Sequence, residues 1–112
     1  AALKMILADP RLGKIYVARA AGRAVAMASL LFTVSTAEGG PAGMLEDFVV
    51  RPECRGTGLG SQLLAHAIGR AKADGLLRLI LLTDGDNANA QRLYERAGFL
   101  RSGMLPMRLR LR

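Results

Sequence analysis

Arg51-Pro52-Glu53-Cys54-Arg55-Gly56-Thr57-Gly58-Leu59-Gly60 is the stretch on which the reading of this chain turns. It follows the run Met44-Leu45-Glu46-Asp47-Phe48-Val49-Val50 and precedes a helix-like segment, Ser61 to Ala73. A strand, a glycine-rich turn carrying an arginine and a helix together make a place for phosphate. Glycine lets the backbone approach an anion without a Cβ in the way. The first N–H groups of a helix have no intrahelical partner and point at that anion. Successive amides of such a turn converge as a nest.

Two better-known phosphate turns are excluded by single residues. A P-loop needs Lys followed by Ser or Thr after its last glycine, and Ser61-Gln62 follows Gly60. A dinucleotide fingerprint counted from Gly56 would place its third glycine at position 61, which is Ser61. What remains is Arg55-x-x-Gly58-x-Gly60. It resembles the pyrophosphate-binding motif of the GNAT family of N-acetyltransferases. The match widens to Val50-x-Pro52-x-x-Arg55-Gly56-x-Gly58-Leu59-Gly60-x-x-Leu63-Leu64. A glycine turn that merely starts a helix would not need Pro52 and Arg55.

A second motif lies downstream: Asn87-Ala88-Asn89-Ala90-Gln91-Arg92-Leu93-Tyr94-Glu95-Arg96-Ala97-Gly98-Phe99. It is similar to the family's Asn-x-x-Ala-x-x-x-Tyr-x-x-x-Gly-Phe. Its local physics is coherent as well. Asp86 or Asn87 can cap a helix. Ala90, Leu93 and Ala97 fall on one apolar stripe. Gly98 is placed to end the helix in a left-handed conformation. Alone, Tyr94 would read as a half-buried packing residue; two motifs in the family's order give it a further role.

Composition bounds the rest. A chain of 112 residues with 51% hydrophobic content is one domain, residues 1–112, with one modest core. No apolar run reaches membrane-spanning length, and no signal-peptide pattern is present. A single cysteine, Cys54, excludes an intrachain disulfide framework and fits a reducing compartment, the cytoplasm. Nothing arranges His66, the only histidine, as a partner for a nucleophilic Cys54; it is expected on a polar helix face with Gln62 and Arg70. No clustered ligands suggest a metal. The net charge is +7, from 16 basic and 9 acidic residues. The basic residues are spread out, except Arg108, Arg110 and Arg112, which alternate with Leu109 and Leu111 like one face of a strand. Two tyrosines, three phenylalanines and no tryptophan make a poor platform for stacking nucleic-acid bases.

The chain order reads as α+β, a mixed, mostly antiparallel sheet flanked by helices. Ala2 to Asp9 reads as the end of a helix. Strands are expected at Lys14–Ala20 and Ala24–Ser35, joined by a hairpin turn at Ala21-Gly22-Arg23. Thr36 to Gly43 reads as a glycine-rich loop, and Met44–Val50 as a strand. A helix at Gly58–Ala73 turns Leu63, Leu64, Ala67, Ile68 and Ala71 to the core. Leu77–Thr83 reads as a strand buried on both faces. A helix at Asn87–Ala97 and strands at Phe99–Gly103 and Leu105–Arg112 complete the chain. The strands at 44–50 and 77–83, joined by one crossover helix, should be parallel.

The resemblance implies the acetyltransferase fold, in which these two parallel strands splay apart and admit the pantetheine arm. It covers roughly residues 14 to 112. Family members usually begin with a strand and one or two helices that help form the acceptor pocket. This chain reads as entering near the end of the second helix, so a fragment lacking the N-terminal strand and first helix is expected.

The activity implied is direct transfer of acetyl from acetyl-CoA to a primary amine, without a metal. Backbone amides of Phe48 or Val50, with Val49 between them, would hold the pantetheine and polarise the carbonyl. Arg55, Gly56, Thr57, Gly58, Leu59, Gly60 and Ser61 would hold the pyrophosphate. Asn87 would contact the coenzyme arm, and Tyr94 would protonate the leaving sulfur. Glu46 or Asp47 would accept the amine proton through water. Strand alternation separates these two carboxylates, and Glu46 is preferred because it shares parity with Phe48 and Val50. The competing readings are a non-catalytic acyl-CoA-binding domain and, further off, a basic nucleic-acid-binding module. A homodimer through the C-terminal strand is also expected.

Overall fold

A two-residue turn starts the sheet. The computed structural model describes residues 12–35 and 39–112, so the expected helix end at Ala2 to Asp9 lies outside the described residues. Strand β1 (Gly13–Ala20) turns at Ala21-Gly22 into β2 (Arg23–Ser35). Both turn residues have positive φ, 52° and 75°. That is the type I′ combination, whose twist matches the flanking strands. At the far end of β1, Gly13 lies against β2 so closely that a Cβ would sit 2.0 Å from the Leu30 carbonyl oxygen.

Strand β3 (Gly40–Val50) pairs antiparallel with β2. It starts before the expected Met44, so positions 40–43 of the expected loop belong to the sheet. The reason is packing. Ala42 and Gly43 are buried, and a Cβ on Gly43 would press on Leu30, Leu76 and Leu79 at 2.9–3.1 Å. Helix α1 (Leu59–Ala73) follows a 3₁₀ turn at Pro52–Cys54. Its Leu63, Leu64, Ala67 and Ala71 are buried and Ile68 is half-buried, as the apolar spacing predicts. Gln62, His66 and Arg70 lie on its exposed face, with the His66 ring edge-on to Tyr16. Helix α1 ends in a Schellman motif: the Gly75 N–H bonds Lys72 O, and the Leu76 N–H bonds Ala71 O.

Strand β4 (Leu79–Leu81) runs parallel to β3, giving a four-stranded sheet in the order β1-β2-β3-β4. Helix α2 (Ala88–Arg96) ends in a second Schellman motif, with the Gly98 N–H on Glu95 O and the Phe99 N–H on Tyr94 O. The core gathers Ala26, Ala28, Leu45, Leu63 and Leu64, with Phe48, Val50, Leu81, Leu93, Tyr94 and Phe99 packed around them. Among the described residues, two antiparallel pairings and one parallel pairing, with the helices α1 and α2, make the α+β class expected from the sequence.

Three expectations are corrected. The strand at Leu77–Thr83 shrinks to Leu79–Leu81, and Ile80 is 42% exposed rather than buried. Side chains alternate between the two faces of β4, and only the face carrying Leu79 and Leu81 is partly covered among the described residues. Phe99–Gly103 and Leu105–Arg112 join no ladder, and Leu105, Leu109 and Leu111 are fully exposed in character. Two local causes keep them off the sheet. Arg101 is held on α2 by Gln91 and Glu95, and Pro106 has no N–H to give a ladder. Finally, Ala97 of the expected apolar stripe is exposed; Ala90, Leu93 and Tyr94 form the covered face of α2 instead.

Candidate coenzyme site

The parallel pairing of β3 and β4 is short. It covers Gly43 with Leu79, Met44 with Ile80 and Leu45 with Leu81, and then stops. Beyond Leu45, β3 continues to Val50 with β2 on one side and no strand on the other among the described residues. Its amides face the two edges alternately. The Arg51 N–H bonds Val25 O at 2.9 Å, and the Asp47 N–H bonds the Ser29 Oγ at 3.0 Å, so both point toward β2. The N–H groups of Phe48 and Val50, lying between them, therefore face the open edge. Two donors two residues apart on a free edge can bind an extended amide chain as an added strand would.

The glycine turn closes one end of this opening. Gly56 and Gly58 have φ of 78° and 84°, which other residues adopt only with strain. Neither would meet a neighbour with its Cβ, so both face open space. Thr57 Oγ1 donates to Cys54 O at 2.6 Å and tightens the turn. The first bond of α1 is the Gln62 N–H to Gly58 O, and no side chain caps the helix. Among the described residues, no backbone carbonyl takes the N–H groups of Gly56 through Ser61. These amides are left as donors at the positive end of the α1 dipole, where an anion is favoured. Gly60 seats that end on the sheet, its α-carbon facing Phe48, Val50 and Leu93. Arg55 Nε donates to Val50 O at 3.2 Å, so its side chain runs along the same open edge of β3.

Helix α2 supplies the other wall. Asn87, and not Asp86, caps it: Asn87 Oδ1 accepts the Ala90 N–H at 3.2 Å. Among the described residues, no hydrogen bond uses the side-chain N–H donors of Asn87. Tyr94 packs edge-on to Phe48 and Phe99, with ring centroids 6.0 Å away in each case. Since Phe48 lies in the part of β3 that β4 no longer accompanies, Tyr94 stands beside the opening. Burial raises its pKa above the ordinary 10.0, so the phenol, protonated at neutral pH in any case, stays protonated further into the alkaline range.

The carboxylates sit at the strand's irregularity. Between Ser29 and Leu30 the register shifts: Ser29 faces Asp47, Leu30 faces Leu45, and Glu46 is the extra residue of a β-bulge. Alternation therefore does not run through this point. Leu45, not Glu46, shares the core face with Phe48 and Val50. Glu46 and Asp47 are both exposed, and the Ser29 hydroxyl donates to Asp47 Oδ2 at 3.1 Å. Sequence reasoning missed Ser29, and it missed Gln91, whose Nε2 donates to Asp84 O and Gly85 O and so ties the loop after β4 to α2. The odd spacing from Leu45 to Phe48 was the available signal for the bulge. The described residues contain no cluster of metal-ligating side chains.

A strand, an uncapped glycine turn and a helix beside parted parallel strands are shared with a described family. The family model "Acetyltransferase (GNAT) family" matches residues 2–99. The chain belongs to the GNAT family. A mycothiol acetyltransferase from Thermobispora bispora is 43% identical over 62 residues, which is 55% of this chain and 21% of that protein. A glucosamine 6-phosphate N-acetyltransferase from Trypanosoma brucei brucei is 34% identical over 87 residues, 77% of this chain and 57% of that protein. Among solved structures, an integron cassette protein from the mobile metagenome of Cole Harbour Salt Marsh superposes with a TM-score of 0.87 at 32% identity, covering 99% of this chain and 68% of that one. This GNAT chain thus spans about a fifth of the first relative and over half of the second.

Proposed function

We propose that this domain transfers the acetyl group of acetyl-CoA directly to a primary amine. The observation that carries the reading is the parting of β3 and β4 beyond Leu45 and Leu81, at the end where α1 presents unbonded amides. The pantetheine arm fits the open edge, taking the N–H groups of Phe48 and Val50 on either side of Val49. One of these amides is also the donor that an oxyanion at the acetyl carbonyl requires. The diphosphate lies on the turn from Arg55 through Gly56, Thr57, Gly58, Leu59 and Gly60 to Ser61. Asn87 donates to the coenzyme arm with its free amide. The amine attacks the carbonyl carbon, and the C–S bond breaks. Tyr94 gives its proton to the departing sulfur. Glu46, standing out of the ladder at the bulge, takes the proton from the amine through water. No metal takes part.

Release of free coenzyme A thiol, measured with the full chain across a panel of primary amines that includes glucosamine 6-phosphate, tests this. At least one amine should raise release well above the rate with acetyl-CoA alone. Tight acetyl-CoA binding with no release for any amine would instead identify a non-catalytic coenzyme-binding domain. Salt-sensitive binding to nucleic acid with no preference for acetyl-CoA would refute both.

A further inference from the structure

Ser29 is the one polar side chain in the buried set of the described residues, at 2% exposure. It interrupts the apolar row Val25, Met27 and Leu31 on its face of β2. A hydroxyl there needs a partner, and it has two on one residue. Its oxygen accepts the Asp47 N–H at 3.0 Å, and its proton goes to Asp47 Oδ2 at 3.1 Å. Donor and acceptor capacity of the hydroxyl are both used.

The position of this pair matters. Leu45 and Phe48 face the same core although they are an odd number of residues apart, so one residue between them must be extra. Either Glu46 or Asp47 could be that residue without disturbing the core. In the structure it is Glu46, because Asp47 is the one paired with Ser29. The short aspartate side chain lets one hydroxyl reach its own N–H and its own carboxylate together. Glutamate, one methylene longer, does not close the same ring. We propose that Ser29 sets the bulge at Glu46 and is thereby a positioning residue for acyl transfer. It holds Asp47 in the ladder, leaves Glu46 outside it, and keeps the Phe48 and Val50 amides turned to the open edge. The inference rests on the acetyl-transfer reading for its catalytic part and on hydrogen bonding alone for its structural part.

Ser29→Ala in the full chain separates the two. The Asp47 amide should exchange with solvent faster, and the Glu46–Val50 amide resonances should shift. Turnover should fall by about 10- to 100-fold, the cost of a small misplacement of reacting groups. Acetyl-CoA affinity should fall by much less than turnover, since the glycine turn that takes the diphosphate is untouched while the Phe48 and Val50 amides shift only slightly. Ser29→Ala combined with Asp47→Ala should be no slower than the worse single variant, because both remove one shared interaction. Parent-like turnover together with parent-like Asp47 exchange would overturn the proposal. So would an equal collapse of turnover, affinity and melting temperature, which marks a general structural role. If the parent itself transfers no acetyl group, the acetyl-transfer reading fails separately, and Asp47 amide exchange still decides whether Ser29 sets the bulge.

Discussion

Replacing Tyr94 by phenylalanine removes one oxygen from a ring that is held on two sides. Phe48 and Phe99 contact it edge-on at 6.0 Å, so the packing of α2 on β3 survives. No protein hydrogen bond to the Tyr94 hydroxyl is present among the described residues, and the oxygen is not among the buried unpaired atoms. The stability cost should therefore stay below the roughly 0.5–1.5 kcal/mol of a typical buried hydrogen bond. In a domain of this size 0.5 kcal/mol corresponds to about 2–4 °C in Tm. The effect on turnover has a different scale. A protonated phenol faces a thiolate whose pKa is roughly 8.5, and general acid catalysis contributes about 10²–10⁴-fold. Tyr94→Phe should thus lower turnover within that range and leave acetyl-CoA affinity and Tm nearly unchanged. The assay is thiol release on the variant, with coenzyme titration and thermal unfolding beside it. A loss under about fivefold would refute the acid role, because the thiolate then leaves without help. A parallel loss of stability would show that the hydroxyl is structural. The linked pH behaviour has a fixed sign. Burial raises the folded pKa of Tyr94 above 10.0, so its stabilising effect is whole below pH 10 and fades as pH climbs through the folded value. Tyr16 shows the same direction, burial again being the main cause, so Tyr94→Phe should soften the alkaline loss of stability without abolishing it.

Acetyl-CoA at 100 times its Kd should raise the stability of the parent by about 2.7 kcal/mol. Gly58→Val should remove most of that shift, since φ is 84° there and a branched side chain would stand where the diphosphate approaches; tight binding by the variant would refute the turn as coenzyme site. Ala21→Asn should stabilise the domain by about 0.5–1 kcal/mol in denaturant unfolding, because asparagine tolerates the positive φ of the type I′ turn better than alanine. The edge of β4 and the exposed Leu105, Leu109 and Leu111 should pair between two copies of the chain. Light scattering should then give a dimer mass that Leu109→Lys reduces, and a monomer at high concentration would refute it.

Much of this architecture was legible because local chemistry encodes it. The spacing of Leu63, Leu64, Ala67 and Ala71 predicts the buried face of α1, and Gly98 predicts the end of α2. The turn at Ala21-Gly22 and the phosphate-type loop at Arg55 to Gly60 are likewise short-range patterns. The errors arose where a local pattern depends on a distant partner. The alternation at Leu105 to Arg112 predicts a strand, but a strand must also reach a free edge, and the hold of Gln91 and Glu95 on Arg101 and the missing N–H of Pro106 keep this segment off the edge of β4. The apolar run at Leu77 to Thr83 predicts burial on both faces, yet burial depends on what lies beside β4. Gly40 to Gly43 reads as loop by composition and becomes strand because β2 lies opposite.

Parity failed for the candidate base for the same reason. Alternation along β3 holds only while pairing is regular, and the packing of both Leu45 and Phe48 on one core forces an extra residue between them. The sequence alone determined the family, the glycine turn and the helices α1 and α2, and it narrowed the cap of α2 to Asp86 or Asn87. These depend on contacts within a few residues, where backbone geometry and side-chain type leave few alternatives. The tertiary structure alone decided where β3 and β4 part, which amides face the opening, and that Ser29 reaches Asp47 across the sheet. Those features join residues far apart in the chain, and only the shared core fixes their register.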